Sequence, residues 1–149
     1  MNAISPASKD IKALAEQLRP ALLRTSRLLR REAQRAGASA LDAQLLGVIK
    51  KNAGIGVSEL ADLEQMTRAS MSGHVKRLEG AGWIRRAEGE GDDKRRVGLS
   101  LTAQGAKALD AIRRRRNDWL AAGLARLSRE ERVALAAAAA PLARLAEDR

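Results

Sequence analysis

At 149 residues the chain has the length of one ordinary domain, and its 45% hydrophobic but only 1% aromatic composition, without Phe or Tyr, leaves Leu, Ala, Ile, Val and Met to build any core, which favours helices. The absence of Cys excludes disulfides, thiol redox sensing and cysteine-held zinc, and a single His leaves too few nitrogen ligands for a usual transition-metal site. A formal net charge of +10 points to a polyanionic partner, for which nucleic acid is a better fit than an acidic protein.

Taken in order, the chain opens with a long amphipathic helix. Ser5 or Ser8 can cap it, and Ile11, Leu14, Leu18, Leu22, Thr25, Leu28 and Leu29 keep a roughly heptad-like stripe. Pro20 removes one backbone donor and is expected to kink this helix or divide it in two, while Gly37 is a natural stop. Ser5, Pro6, Ser8, Lys9 and Asp10 interrupt the apolar residues between Ile4 and Ile11, so no signal peptide is read there. No run of about 18 apolar residues occurs either, and the expectation is a cytoplasmic protein with no membrane partner.

Ser39 or Leu41 begins a second helix with Leu41, Leu45, Val48 and Ile49 inward, ending at Asn52-Ala53-Gly54. Ser58 can cap a short third helix carrying Leu60, Ala61 and Leu63, and Glu64 to Met66 turn the chain toward Thr67, an N-cap for a fourth. In that fourth helix Met71, Val75 and Leu78 fall at i, i+4 and i+7 and face inward. Its other side is free of bulky and acidic residues: Ala69, Gly73, Lys76 and Arg77 lie furthest from the stripe, with Ser70 and Ser72 on the flanks. Small residues let a helix backbone approach base edges, hydroxyls donate to bases or phosphates, and cations hold flanking phosphates. The helix N-terminus, with Thr67 and Arg68, adds a positive end. His74 stands between the apolar stripe and this reading face, suited to packing or to a phosphate contact.

Gly80 and Gly82 break the helix, Trp83 to Arg86 reads as a strand, Gly89 to Asp93 as a loop, and Val97, Leu99 and Leu101 alternate as a half-buried strand does. Near the hairpin tip stand Asp93, Lys94, Arg95 and Arg96. Long cations there could enter a minor groove or follow phosphates, and a solvated turn is the equally plain alternative. Thr102 caps a further helix in which Gly105 permits close packing and Ala108, Leu109 and Ile112, extending to Trp119 and Leu120, form the apolar side. Arg113 to Arg116 cannot all share one solvent face, so at least one is expected to be partly covered, paired with Asp110, Asp118, a carboxylate of another helix or a ligand anion. Ser128-Arg129-Glu130-Glu131 is a capping box for an alanine-rich last helix that contains Pro141 and suits close packing on other helices.

The array ELADLEQMTRASMSGHVKRLEGAGWI, then DDKRR, then LSLTAQG resembles the MarR family of winged-helix transcription regulators over nearly the whole chain. Its most specific part is the D-x-R pattern at Asp93 and Arg95 followed by L-T-x-x-G at Leu101, Thr102 and Gly105. The resemblance implies a mainly α fold with a small β-hairpin: a winged helix-turn-helix over residues 37–101, and a helical dimerisation lobe made of residues 1–36 and 102–149. It also implies that Arg95 enters the minor groove and that Asp93 helps to hold it. The expected function is a dimeric, sequence-specific repressor of a pseudo-palindromic double-stranded DNA operator, with Thr67, Arg68, Ser70, Ser72, Gly73, His74, Lys76, Arg77, Asp93, Lys94, Arg95 and Arg96 at the DNA.

The alternative is an architectural, weakly sequence-specific DNA binder on the same fold. No cofactor is expected, and no nucleophile, paired carboxylates or phosphate loop supports an enzyme. Family members often bind small aromatic or phenolic acids between the lobes. A small anionic or phenolic ligand, rather than a metal or an oxidant, is therefore the effector class to expect, although this chain has few aromatic residues to line a pocket.

Overall fold

The structure, a computed structural model, describes residues 6–88 and 97–147. The described residues form α1 (Pro6–Arg35), α2 (Ala40–Lys51), α3 (Val57–Leu63), α4 (Arg68–Gly80), a hairpin of β1 (Ile84–Glu88) and β2 (Val97–Leu101), α5 (Ala103–Leu124) and α6 (Arg129–Glu147). The strands are antiparallel, with Ile84 opposite Leu101 and Arg86 opposite Leu99. None of the helices among the described residues is long and apolar enough to cross a membrane.

Local chemistry accounts for most of the boundaries. Gly37 takes a left-handed φ of 86° just beyond α1, a conformation that costs glycine little. Ser39 then makes a reciprocal capping box with Asp42: its hydroxyl accepts the Asp42 amide at 3.0 Å, and the Asp42 carboxylate accepts the Ser39 amide at 3.1 Å. The Ser128 and Glu131 box opens α6 in the same way. The division expected at Pro20 does not occur. α1 runs without division through Pro20, and α6 runs through Pro141, because strong helix formers on both sides of each proline sustain the helix past one missing donor. Ser58 is not a cap either. The cap of α3 is Gly56, and Ser58 already lies inside the helix. Ser8 likewise lies within α1, while Ser5 is outside the described residues.

One core gathers Leu45, Leu46, Ile49, Leu60, Met71, Val75, Leu78, Ile84, Leu99 and Leu109 from α2 through α5. Leu46 joins it although the inward set expected for α2 omitted it, since α2 is covered on more than one side by α1, α5 and β2. A smaller cluster of Ala33, Ala38, Ala43 and Ile112 joins α1 and α2 to α5, and Trp83 touches both clusters. At the same joint Glu32, almost without solvent, accepts from Arg35 at 2.6 Å and from Arg115 at 3.5 Å. Arg116 donates to the Leu29 carbonyl at 3.2 Å, and burial pushes its pKa below the ordinary arginine value. The arginine run is thus partly covered, and its pairing carboxylate comes from another helix. Leu120 is exposed and Trp119 only partly buried, so the apolar side of α5 finds its cover in the N-terminal half of the helix.

Two close approaches set the hairpin. Gly98 lies against Gly54, where an added Cβ would stand 2.7 Å from the Gly54 carbonyl oxygen. The Gly54 amide and the Leu99 carbonyl, and the Leu99 amide and the Ile55 carbonyl, are joined at 2.8 Å, so the α2–α3 loop pairs with β2. Thr102 caps α5 by accepting the Gly105 amide at 3.0 Å while its hydroxyl donates to the Gly82 carbonyl at 2.6 Å. A Cβ on Gly105 would stand 1.9 Å from the Trp83 carbonyl oxygen. Gly105→Ala should therefore destabilise the chain by at least ~1–3 kcal/mol in urea unfolding, because backbone must move to admit it, whereas Gly47→Ala, where a Cβ meets nothing within 4 Å, should not destabilise.

Candidate nucleic-acid interface

The second and third helices of the core hold a fourth whose outer face stays in solvent. The turn before α4 carries Gln65 at a left-handed φ of 53°, and the Met66 amide reaches back to the Ala61 carbonyl at 2.9 Å. Gln44 of α2 donates to Glu64 in this turn. Thr67 follows in extended backbone, its hydroxyl accepting the Ser70 amide at 3.2 Å. These contacts aim α4, and Met71, Val75 and Leu78, all at 0% exposure, anchor it.

The residues singled out from the sequence divide into groups. Thr67, Arg68, Ser70, Gly73 and Lys76 are exposed, along with Ala69, and Ser72 and His74 are half-buried. Arg68 and Lys76 make no ion pair among the described residues. The first turn of α4 holds no acidic residue, so nothing there offsets the positive end of the helix.

Arg77 is placed differently. Its Nη1 donates to Asp42 Oδ2 at 2.8 Å, the oxygen that also accepts the Ser39 amide. Its Nη2 lies 2.5 Å from Oδ1 as a charge contact without a hydrogen bond, which makes a two-point fork across the first turn of α2. Its Nη2 is also 3.1 Å from His74 Nδ1. Burial alone would raise the pKa of Asp42, which is 4% exposed; the hydrogen bond from Arg77, those from the Ser39 amide and hydroxyl, and the Arg77 charge outweigh it and hold the carboxyl below its ordinary value. Arg77 responds oppositely, its pKa raised by the Asp42 hydrogen bond.

Asp93, Lys94, Arg95 and Arg96 lie outside the described residues. At the base of the hairpin, two further arginines stand on β1: Arg85 donates to Ser100 at 3.2 Å and Arg86 to Glu79 of α4 at 2.7 Å. In the sequence both read only as strand residues. Their adjacency to the wing is the signal that could have marked Arg85, which is exposed and among the described residues bonds only to a hydroxyl, as a further cation beside α4.

Comparison with known proteins adds a second line. A family model described as MarR family matches residues 36–96. An HTH-type transcriptional regulator of Mycobacterium tuberculosis is 33% identical over 126 residues, covering 85% of this chain and 87% of the relative. Among solved structures, a transcriptional regulator from Pseudomonas aeruginosa superposes with a TM-score of 0.80 at 33% identity, over 97% of this chain and 100% of that one. A MarR family protein from Bacillus stearothermophilus gives 0.79 at 19% identity, with 99% of each chain covered. A variant of Staphylococcus aureus MepR, solved bound to an oligodeoxyribonucleotide, shares the fold with a TM-score of 0.68 at 19% identity, over 87% of this chain and 94% of its own.

The lowered pKa of Asp42 makes a pH prediction with a definite sign. Because the folded value lies below the unfolded one, about 3.9, the pair contributes its full stability above that value and loses it as pH falls through the folded pKa. Asp42→Asn should lower stability near neutral pH by ~1–3 kcal/mol and should show a shallower loss on acidification than the parent chain. Urea unfolding across a pH series measures both, and parallel acid slopes would contradict the assignment.

Proposed function

Because the chain belongs to the MarR family of helix-turn-helix transcription regulators, DNA-binding proteins rather than enzymes, we propose that it acts as a homodimeric repressor that reads a pseudo-palindromic operator. The observation that carries this reading is an asymmetry of burial. α4 presents a small, polar and basic face anchored from behind, whereas α6 buries none of its residues within one chain.

The apolar groups left in solvent are concentrated at the ends of the chain. Ile11 is 69% exposed, Val133 61% and Leu145 71%, with Leu14, Leu22, Leu23 and Leu135 also exposed. Between α1 and α6 lies an apolar cleft of about 770 Å³ lined by Leu14, Leu18, Leu22, Leu135, Leu142 and Leu145. Surface of this extent on helices with little of their own chain to cover it is suited to a second copy. Residues 1–36 and 102–149 then form the dimerisation lobe and residues 37–101 the DNA-binding lobe. Two-fold symmetry carries the reader helices to major-groove faces about 34 Å apart.

In this reading Thr67, Arg68, Ser70, Ser72, Gly73 and Lys76 meet the duplex, with Asp93, Lys94, Arg95 and Arg96 in the wing and Arg77 acting chiefly from behind through Asp42. Repression needs no further surface, since a dimer seated over a promoter excludes polymerase by occupancy. Release by a small anionic or phenolic ligand is supported by a cleft of about 790 Å³ at the lobe joint, lined by Leu22, Thr25, Leu29, Leu41, Gln44 and Arg116. Its cations are the exposed Arg30 and the partly buried Arg116, and Gln44 on its wall bonds to the helix-turn-helix turn. The small residues on the reading face favour a sequence-specific reader over an architectural binder.

Selection of bound duplexes from random DNA should yield a two-fold symmetric site, and an unenriched pool would leave only architectural binding. Sedimentation should give a dimer at micromolar concentration, and removal of residues 128–149 should give monomers with greatly weakened operator binding. An intact dimer after that truncation would contradict the proposed interface. Arg95→Ala should weaken binding to the operator and to scrambled duplex alike and flatten the salt dependence, while Ser70→Ala or Ser72→Ala should shift discrimination by ~1–3 kcal/mol at one or two base positions.

A further inference from the structure

The reader helix carries the only histidine of the chain, and the contact it makes restricts its chemistry. Ser70, His74 and Arg77 stand at i, i+4 and i+7, one side of α4 adjoining the buried stripe, and the Arg77 fork to Asp42 turns that side toward the first turn of α2. The neighbour of His74 Nδ1 is Arg77 Nη2 at 3.1 Å. A guanidinium has donors and no acceptor, so at this contact Nδ1 must supply the lone pair. Asp42, holding both terminal nitrogens of the fork, fixes the plane from which the donor comes. The ring proton is then on Nε2, and Nε2 has no protein partner among the described residues on a ring that is half-buried.

We propose that Arg77 locks neutral His74 in the Nε2–H tautomer and that this N–H donates to a phosphate oxygen of the bound duplex, on the side of the reader helix that faces α2. The inference rests on the reading of α4 as the DNA-facing helix. A phosphate is chosen over a base edge because His74 flanks the reading face, whereas Ala69, Gly73 and Lys76 lie at its centre. Flanking residues of a helix seated in a major groove meet the backbone. Arg77 is in this account a positioning residue: it acts on DNA through the ring it orients.

Several observables separate this role from simple packing. A nitrogen–proton correlation spectrum of the full chain, at a pH where the ring is neutral, contains a single imidazole and should show Nε2 protonated and Nδ1 bare. A ring protonated on Nδ1 overturns the proposal. His74→Gln, whose amide nitrogen can stand near the Nε2 position, should keep operator affinity, while His74→Leu should lower it roughly tenfold, the size of one hydrogen bond to a charged acceptor. The loss should be equal on the selected and scrambled duplexes. A loss confined to the selected duplex would overturn the phosphate assignment.

Arg77→Lys keeps a cation for Asp42 and removes the fork. It should lower affinity by a similar factor and add little further loss in combination with His74→Leu, and fully additive losses would overturn the positioning role. Titration with the selected duplex distinguishes the two levels of the account. Amide shifts at Ser70 and Lys76 with an unmoved His74 ring would remove only the histidine contact, whereas an unmoved α4 would remove the DNA-facing reading beneath it.

Discussion

A nearly solvent-free carboxylate at the start of α2 organises the helix-turn-helix of this chain. Asp42 closes the Ser39 capping box with the same carboxylate that takes up the Arg77 fork, so the first turn of one helix is tied to the middle of another. An aspartate buried without such partners would be expensive, and its lowered pKa reports that the hydrogen bonds and charge outweigh its desolvation. The apolar anchors Met71, Val75 and Leu78 fix the depth of α4 on the core. Packing of that kind is non-directional and tolerates sliding and rotation. The fork adds an orientation, and with it the disposition of Ser70, His74 and the open end of the helix.

The same frame explains why the hairpin sits where it does. Trp83 contacts both core clusters, its carbonyl accepts the Thr102 amide at 3.1 Å, and Gly105 leaves the gap into which that carbonyl fits. On the opposite edge Gly54 and Gly98 allow the α2–α3 loop to pair with β2. The base of the wing is therefore held by backbone at both edges, and the Arg86 contact with Glu79 ties β1 to the end of α4. α5 then carries the chain from this rigid unit to α1, where Glu32, Arg35 and Arg115 supply charge pairs beside the alanine-lined contact.

Much of this was legible in the sequence because it is written in short-range rules. The caps at Ser39, Thr67, Thr102 and Ser128, the stripe of Met71, Val75 and Leu78, the stop at Gly37 and the close packing at Gly105 each depend on residues within a few positions. What escaped depends on distant partners. Nothing local says that Arg77, placed by periodicity on the outer face, meets a carboxylate of another helix 35 positions away. Leu46 is buried because three elements surround α2, which a single inward stripe does not anticipate. Pro20 is expected from its own chemistry to kink or divide α1, while the strength of the helix on either side keeps α1 one element. The wing residues Asp93 to Arg96 rest on the sequence pattern alone, since they fall outside the described residues.

The central claim is that the open end and outer face of α4 are what the chain presents to DNA, and amide hydrogen exchange with and without a selected duplex tests it most directly. The amides of Arg68 and Ala69 stand in the first turn of an exposed helix, ahead of the intrahelical ladder, and should exchange freely in the unbound chain. The account predicts that the duplex slows exchange in the first turns of α4 and leaves α6 unchanged. Protection concentrated on α1 or α6, with the start of α4 exchanging as before, would contradict it.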